Sequence, residues 1–173
     1  MKKNLLISIF IFLTSLFTGL FFCVGLNSET RIQLSTLMLS GMQRDSHSFF
    51  VWLFLIFTSH TKMYLIMIPA LFIKALIFLP AIIIIFRSFS LGFCCGLVYI
   101  SNIESPFIFS LMHLLPQNIF LIPAYIIFAT AVITFSLEQK NRPLPLNDKS
   151  LLTSSIICIV LTFSGSLIET IFL

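Results

Sequence analysis

Between Phe107 and Leu137 the chain is almost wholly apolar, yet it carries Leu114-Leu115-Pro116-Gln117-Asn118-Ile119-Phe120-Leu121-Ile122-Pro123-Ala124 in its middle. Proline lacks the N–H of a helical ladder and its ring crowds the carbonyl four residues earlier, so Pro123 is set against Ile119. In hydrocarbon no water replaces a lost bond, and irregular backbone survives only where protein or a polar cavity supplies partners. The segment is therefore expected inside the fold, as a helix broken near residues 116–123. Asn118 is placed to cap its second half by accepting from the first N–H groups.

The rest of the chain agrees with a membrane setting. Apolar residues make up 58% and charged residues 9%, far from the ~45–50% and ~25% of a soluble domain. The net charge of +4 is spread over loops, which reads as topology determinants and not as a nucleic-acid face. Met1-Lys2-Lys3-Asn4 and the apolar run Leu5 to Leu26 resemble a signal peptide. No small-x-small site follows, and Leu20-Phe21-Phe22 before Cys23 is too bulky for lipoprotein processing, so the run is read as a retained first span. Cys23, Cys94, Cys95 and Cys158 all lie in apolar segments without metal-ligand spacing and read as buried thiols.

These patterns predict an all-α, polytopic transmembrane bundle forming a single domain over residues 1–173. Five spans are expected, at about 5–26, 63–86, 88–101, 117–137 and 151–173, against the ~20 residues a crossing needs. Thr58-Ser59-His60-Thr61-Lys62 is read as a polar closure of the short apolar piece Phe49–Phe57, which leaves His47 and His60 in loops. An amphipathic helix over about 28–44 carries Leu34, Leu37, Met38 and Met42 on one face. Packing on the bundle and docking of a partner are both open readings of that face.

Lysines and arginines favour the cytoplasmic side: Lys2, Lys3, Arg87, Lys140, Arg142 and Lys149 inside, against Arg31, Arg44 and Lys62 outside. This predicts a plasma-membrane protein with its N-terminus cytoplasmic and its C-terminus extracytoplasmic.

Four features carry possible function. Pro116, Gln117, Asn118 and Pro123 form either a ligand site of exposed helix ends or a packed hinge. Glu169, and Lys74 in the second expected span, are intramembrane ionisable groups that suggest a structural ion pair, exposure of Glu169 at the outer edge, or a proton or ion path. Gly92 and Gly96 form a GxxxG that lets two helix backbones approach closely. His113, one turn before the proline break, reads as a hydrogen-bonded histidine. No metalloprotease, serine-hydrolase or phosphate-loop motif is present in the sequence, so no enzymatic activity, cofactor or small-molecule substrate is expected.

Leu115-Pro116-Gln117-Asn118-Ile119, continued by Ile122-Pro123-Ala124-Tyr125-Ile126-Ile127 and Ile133-Thr134-Phe135-Ser136-Leu137, resembles the signature of the stage II sporulation protein M family. Gly19, Asn27, Leu79-Pro80, Gly92-Phe93 with Gly96, and Ser164-Gly165 with Ile168-Glu169 follow in that family's order. The wider superfamily tends to carry Pro-His-Gly and a later glutamate where this chain has Pro116-Gln117-Asn118 and Leu121, which favours the sporulation branch. Relatives commonly continue past the position of Leu173.

The resemblance implies a membrane scaffold of the engulfment machinery in the mother-cell septal membrane. It would anchor peptidoglycan hydrolases resembling stage II sporulation proteins P and D. The outward segments 27–62 and 101–106 would recruit them, with Leu34, Leu37, Met38 and Met42 docking a partner. A small transporter or channel subunit using the broken helix, Lys74 and Glu169 is the alternative.

Overall fold

A computed structural model of the chain describes residues 2–41, 48–100, 105–138 and 149–172. Among them 94% are helical and none is in a strand. The helices are α1 (Lys2–Val24), α2 (Ser28–Gly41), α3 (Phe49–Met67), α4 (Leu79–Ile100), the short α5 (Pro106–Phe109), α6 (Leu115–Glu138) and α7 (Lys149–Phe172). Five spans are long and apolar enough to cross a bilayer: Lys2–Val24, Phe49–Leu71, Lys74–Ile100, Pro106–Glu138 and Lys149–Phe172. The chain is thus a multi-pass membrane protein, and a belt of exposed Phe, Ile and Leu on these helices suits lipid contact.

The second and third spans fall differently from the sequence reading. The helix does not close at Thr58-Ser59-His60-Thr61-Lys62 but runs on to Met67. Thr58 and Thr61 donate their hydroxyls to the carbonyls of Phe54 and Phe57, at 2.6 and 2.8 Å, so these polar residues satisfy themselves within the helix. His60 turns into the core, and Lys62 stays exposed.

The real stop comes at Pro69, in a 3-10 turn over Ile68–Leu71, followed by a second over Lys74–Leu76. Pro80 then sits in the first turn of α4, where a missing N–H costs least. Lys74 therefore lies at the very start of the third span, in a 3-10 turn, and not in the middle of one. Arg87 lies inside a span and not in a loop.

The fourth span is the centre of the bundle, 67% buried against 11–28% for the other four. Its helix α6 packs chiefly on α7, and α1 chiefly on α4. Leu121, Ala124, Tyr125, Phe128 and Val132 of α6 meet Tyr64 and Met67 of α3 and Ile83 and Ile84 of α4 in the core.

Small residues set the α1–α4 distance. A Cβ on Gly92 would overlap the Leu16 carbonyl, one on Gly19 would overlap that of Phe89, and one on Gly96 would come within 2.8 Å of Cys23 Cβ. The GxxxG of α4 is thus a packing face whose partner is α1, running parallel to it.

On its other side α1 meets α6 antiparallel, through Asn4 Nδ2 donating to Thr134 Oγ1 at 2.9 Å and Thr130 Oγ1 donating to Ser8 Oγ at 3.2 Å. These bonds order the register more than they stabilise it. Replacing Thr134 by valine is expected to lower stability by only about 0.6 kcal/mol, the average for such bonds between membrane helices. The unfolding midpoint in detergent measures this.

Candidate functional site

Four helices turn one polar side chain each toward a common point in the bundle. On α3 the buried positions Ile56, His60, Tyr64 and Met67 lie on one helical stripe. Arg87 continues the stripe of Pro80, Ile83 and Ile84 on α4, and Tyr125 lies among Leu121, Ala124 and Phe128 on α6. Glu169 follows Thr162, Gly165 and Ser166 on the inward face of α7. Arg87 is eight residues past Leu79, about 12 Å along the helix at ~1.5 Å per residue. The point of convergence thus lies within the apolar length of α4, and within one turn of the end of α7 at Phe172.

His60 is the hub. Its Nε2 lies 2.9 Å from Glu169 Oε2, and its Nδ1 faces the Arg87 guanidinium and the Tyr125 hydroxyl, the latter at 3.1 Å. Arg87 Nη2 also donates to Tyr125 Oη at 2.8 Å, with Cζ 4.9 Å from the Tyr125 ring centroid. Tyr125 in turn reaches the His60 carbonyl at 3.4 Å. A guanidinium only donates and a carboxylate only accepts. The network therefore assigns a neutral His60 that accepts at Nδ1 and donates Nε2–H to Glu169.

This arrangement carries no net charge. The cation of Arg87 and the anion of Glu169 are bridged by one imidazole, and the His60 and Glu169 side chains are only 7% and 20% exposed. Ionisable groups at membrane depth normally face protein and pair in this way. Below the hub, Tyr64 stacks on Tyr125 with ring centroids 4.9 Å apart and shares a 2.7 Å hydrogen bond with Thr162. That contact joins α3, α6 and α7 a second time.

A cavity of about 160 Å³ opens beside the hub, lined by His60, Arg87, Gln117, Asn118, Tyr125 and Glu169 among others. That volume is large enough for several waters. Arg87 Nε is buried and makes no protein hydrogen bond. Among the described residues no group of three His, Cys, Asp or Glu side chains is placed to hold a metal ion.

The residues expected from sequence divide into two sets. Glu169, Gln117 and Asn118 do come together at this cavity. Lys74 is exposed in the turn after α3 and takes no part. The interruption expected near residues 116–123 begins earlier, as a π-helical turn over Ser110–Leu114. Helix α6 starts at Leu115, so Pro116 occupies its tolerant first turn, and Pro123 is carried within the helix.

Asn118 consequently lies within α6. Its amide donates to the Leu114 carbonyl at 2.6 Å instead of accepting from N–H groups as a cap. His113 is half-buried, with Nδ1 3.1 Å from the Phe172 carbonyl, which ties the start of the fourth span to the end of α7.

Sequence reasoning missed His60, Arg87 and Tyr125. The available signal was spacing: Ile56, His60 and Tyr64 recur every four residues, as a continuous helix through the polar run would require.

On the outer helix, Leu34 and Met38 are half-buried along with the buried Ser35, whereas Leu37 and Ile32 are exposed. The expected apolar face is thus partly taken by the bundle, α2 packing on α4. Met42, Arg44, His47, Lys140 and Arg142 lie outside the described residues.

A protein-family model described as Stage II sporulation protein M matches residues 8–172, nearly the whole chain. Comparison with curated proteins and with solved structures returns no match.

Proposed function

We propose, from the premise that this chain belongs to the stage II sporulation protein M family, that it is the non-catalytic membrane scaffold of the engulfment machinery. In that role it anchors peptidoglycan hydrolases resembling stage II sporulation proteins P and D at the mother-cell septal membrane. The observation that carries the reading is the family match itself, which runs through all five spans. A scaffold needs a bundle that holds its shape, and the Arg87–His60–Glu169 bridge supplies a cross-brace among α3, α4 and α7.

Orientation follows from charge. With Lys62 and Arg87 inside spans, the described residues on the N-terminal side of the membrane include Lys2, Lys3, Lys74 and Lys149, and those on the opposite side include Arg31. The bias favours a cytoplasmic N-terminus and an extracytoplasmic C-terminus. Helix α2 is then presented outside, where the hydrolases act, and its exposed Leu37 and Ile32 form the docking contact.

Co-purification from sporulating cells tests the proposal. The intact protein is expected to bring down cell-wall hydrolase. Leu37→Asp should reduce the recovery about tenfold, the effect of losing one central apolar contact. Correctly inserted protein that retains no hydrolase would refute the scaffold role.

A second reading, a transporter or channel subunit, draws on the polar cavity beside Arg87 and Glu169. It predicts a solute or proton flux that disappears in Gln117→Leu while the protein stays assembled. Flux unchanged in that variant counts against it.

A further inference from the structure

The bundle has a second, larger cavity far from the polar hub in character. It is a groove of about 570 Å³ between α3 and α7, lined by Thr61, Leu65, Phe72, Leu151, Ser155 and Ile159 among others. Nearly all of its lining atoms are carbon, which in a bilayer suits an acyl chain. The groove reaches the end of the bundle where α3 stops and α7 begins. Lys74 follows the lining residue Phe72 by two positions, and Lys149 precedes the lining residue Leu151 by two. Both lysines are exposed, and among the described residues neither makes an ion pair.

The same end of the bundle carries exposed Lys2 and Lys3, and Glu138 is the acidic residue described there. Among the described residues, four lysines against one carboxylate make this rim positive.

We propose that the α3–α7 groove is a binding site for an anionic glycerophospholipid, with an acyl chain along the groove and the phosphate held between Lys74 and Lys149. The charge complementarity selects the occupant. A zwitterionic lipid has the same chains but gains little from two lysines, whereas an anionic headgroup at the membrane surface gains from each. A transmembrane helix of another protein would use the apolar wall and leave the lysine pair without a partner. The site is independent of the scaffold reading, because it needs only the membrane and this chain.

Native mass spectrometry of the purified full chain in detergent tests the site. The protein is titrated with phosphatidylglycerol, with phosphatidylcholine of the same acyl chains, and with glycerol 3-phosphate alone. Phosphatidylglycerol is expected to bind about 25-fold more tightly than phosphatidylcholine, the combined effect of two surface lysines. Glycerol 3-phosphate should not compete.

Lys74→Gln with Lys149→Gln should abolish the preference, and Lys2→Gln with Lys3→Gln should keep it. Ser155→Trp, which fills the groove, should weaken both lipids. Equal binding of the two lipids, competition by glycerol 3-phosphate, or a preference that survives the loss of Lys74 and Lys149 would overturn the proposal. So would a photocrosslinker at Ser155→Cys that labels a second copy or another protein in place of lipid.

Discussion

Replacing Arg87 by leucine is expected to destabilise the bundle by about 3–5 kcal/mol, the usual effect of leaving a buried charge without its partner. The substitution itself adds apolar surface in a membrane, which favours insertion. What it strands is Glu169, whose carboxylate keeps the His60 N–H as its donor but loses the cation that faces it across the imidazole. His60 would also lose the guanidinium that fixes its tautomer.

The same reasoning predicts the opposite for simultaneous replacement. Arg87→Met, His60→Phe and Glu169→Leu together remove every charge and leave Tyr125 its bond to the residue-60 carbonyl. The triple variant is expected within about 1–2 kcal/mol of the parent, because a buried ionic cluster and well-packed apolar side chains of similar volume are often close in stability. Unfolding in mixed micelles, followed by tyrosine fluorescence and circular dichroism, measures both. A single variant as stable as the parent would show that the bridge bears no load.

The second large effect concerns the α1–α4 contact. Gly92→Leu is expected to prevent native packing, at a cost of about 3 kcal/mol or more. Its Cβ would occupy the position of the Leu16 carbonyl, and backbone cannot step aside as a flexible side chain can. Relief requires the two helices to separate, which also pulls Asn4 and Ser8 away from Thr134 and Thr130 on α6.

Gly19→Leu should act alike, since its Cβ meets the Phe89 carbonyl. Gly25→Ala serves as the control: its nearest neighbour is the Phe22 carbonyl at 3.6 Å, an ordinary contact, and its φ is not in the left-handed region. The yield of monodisperse protein and its thermal midpoint in detergent separate the three variants.

The number of spans and the glycine packing face were legible in the sequence, because each follows from hydrophobic length or from backbone chemistry; the proline segment is only partly inside, with Ile119 and Pro123 exposed. The division between the second and third spans was not. Thr58, Ser59, His60, Thr61 and Lys62 look like a loop when polarity is summed along the chain. Helical carbonyls satisfy two of those hydroxyls, and a distant glutamate satisfies the histidine.

Placing that boundary near residue 87 instead of residues 72–73 put Lys74 in the middle of a span and Arg87 at its end, the reverse of their positions. The hub was hidden for the same reason. His60, Arg87, Tyr125 and Glu169 come from four helices, and no local window contains more than one of them. The charge bias between the two sides nevertheless keeps its sign. The correction moves Arg87 out of the N-terminal side's count and Lys74 into it, and it removes Lys62 from the opposite side.

In the scaffold role proposed above, the buried charges compensate one another inside the bundle and neither transport nor bind a solute. The most direct measurement is spore formation and hydrolase recovery in cells whose only copy is the Arg87→Met, His60→Phe, Glu169→Leu variant. Near-parental sporulation with hydrolase co-purified is expected, because the triple variant keeps the bundle and its outer helix. Stable, inserted triple variant that recovers hydrolase normally yet fails to support sporulation would contradict it, and would assign the polar hub a chemical role of its own.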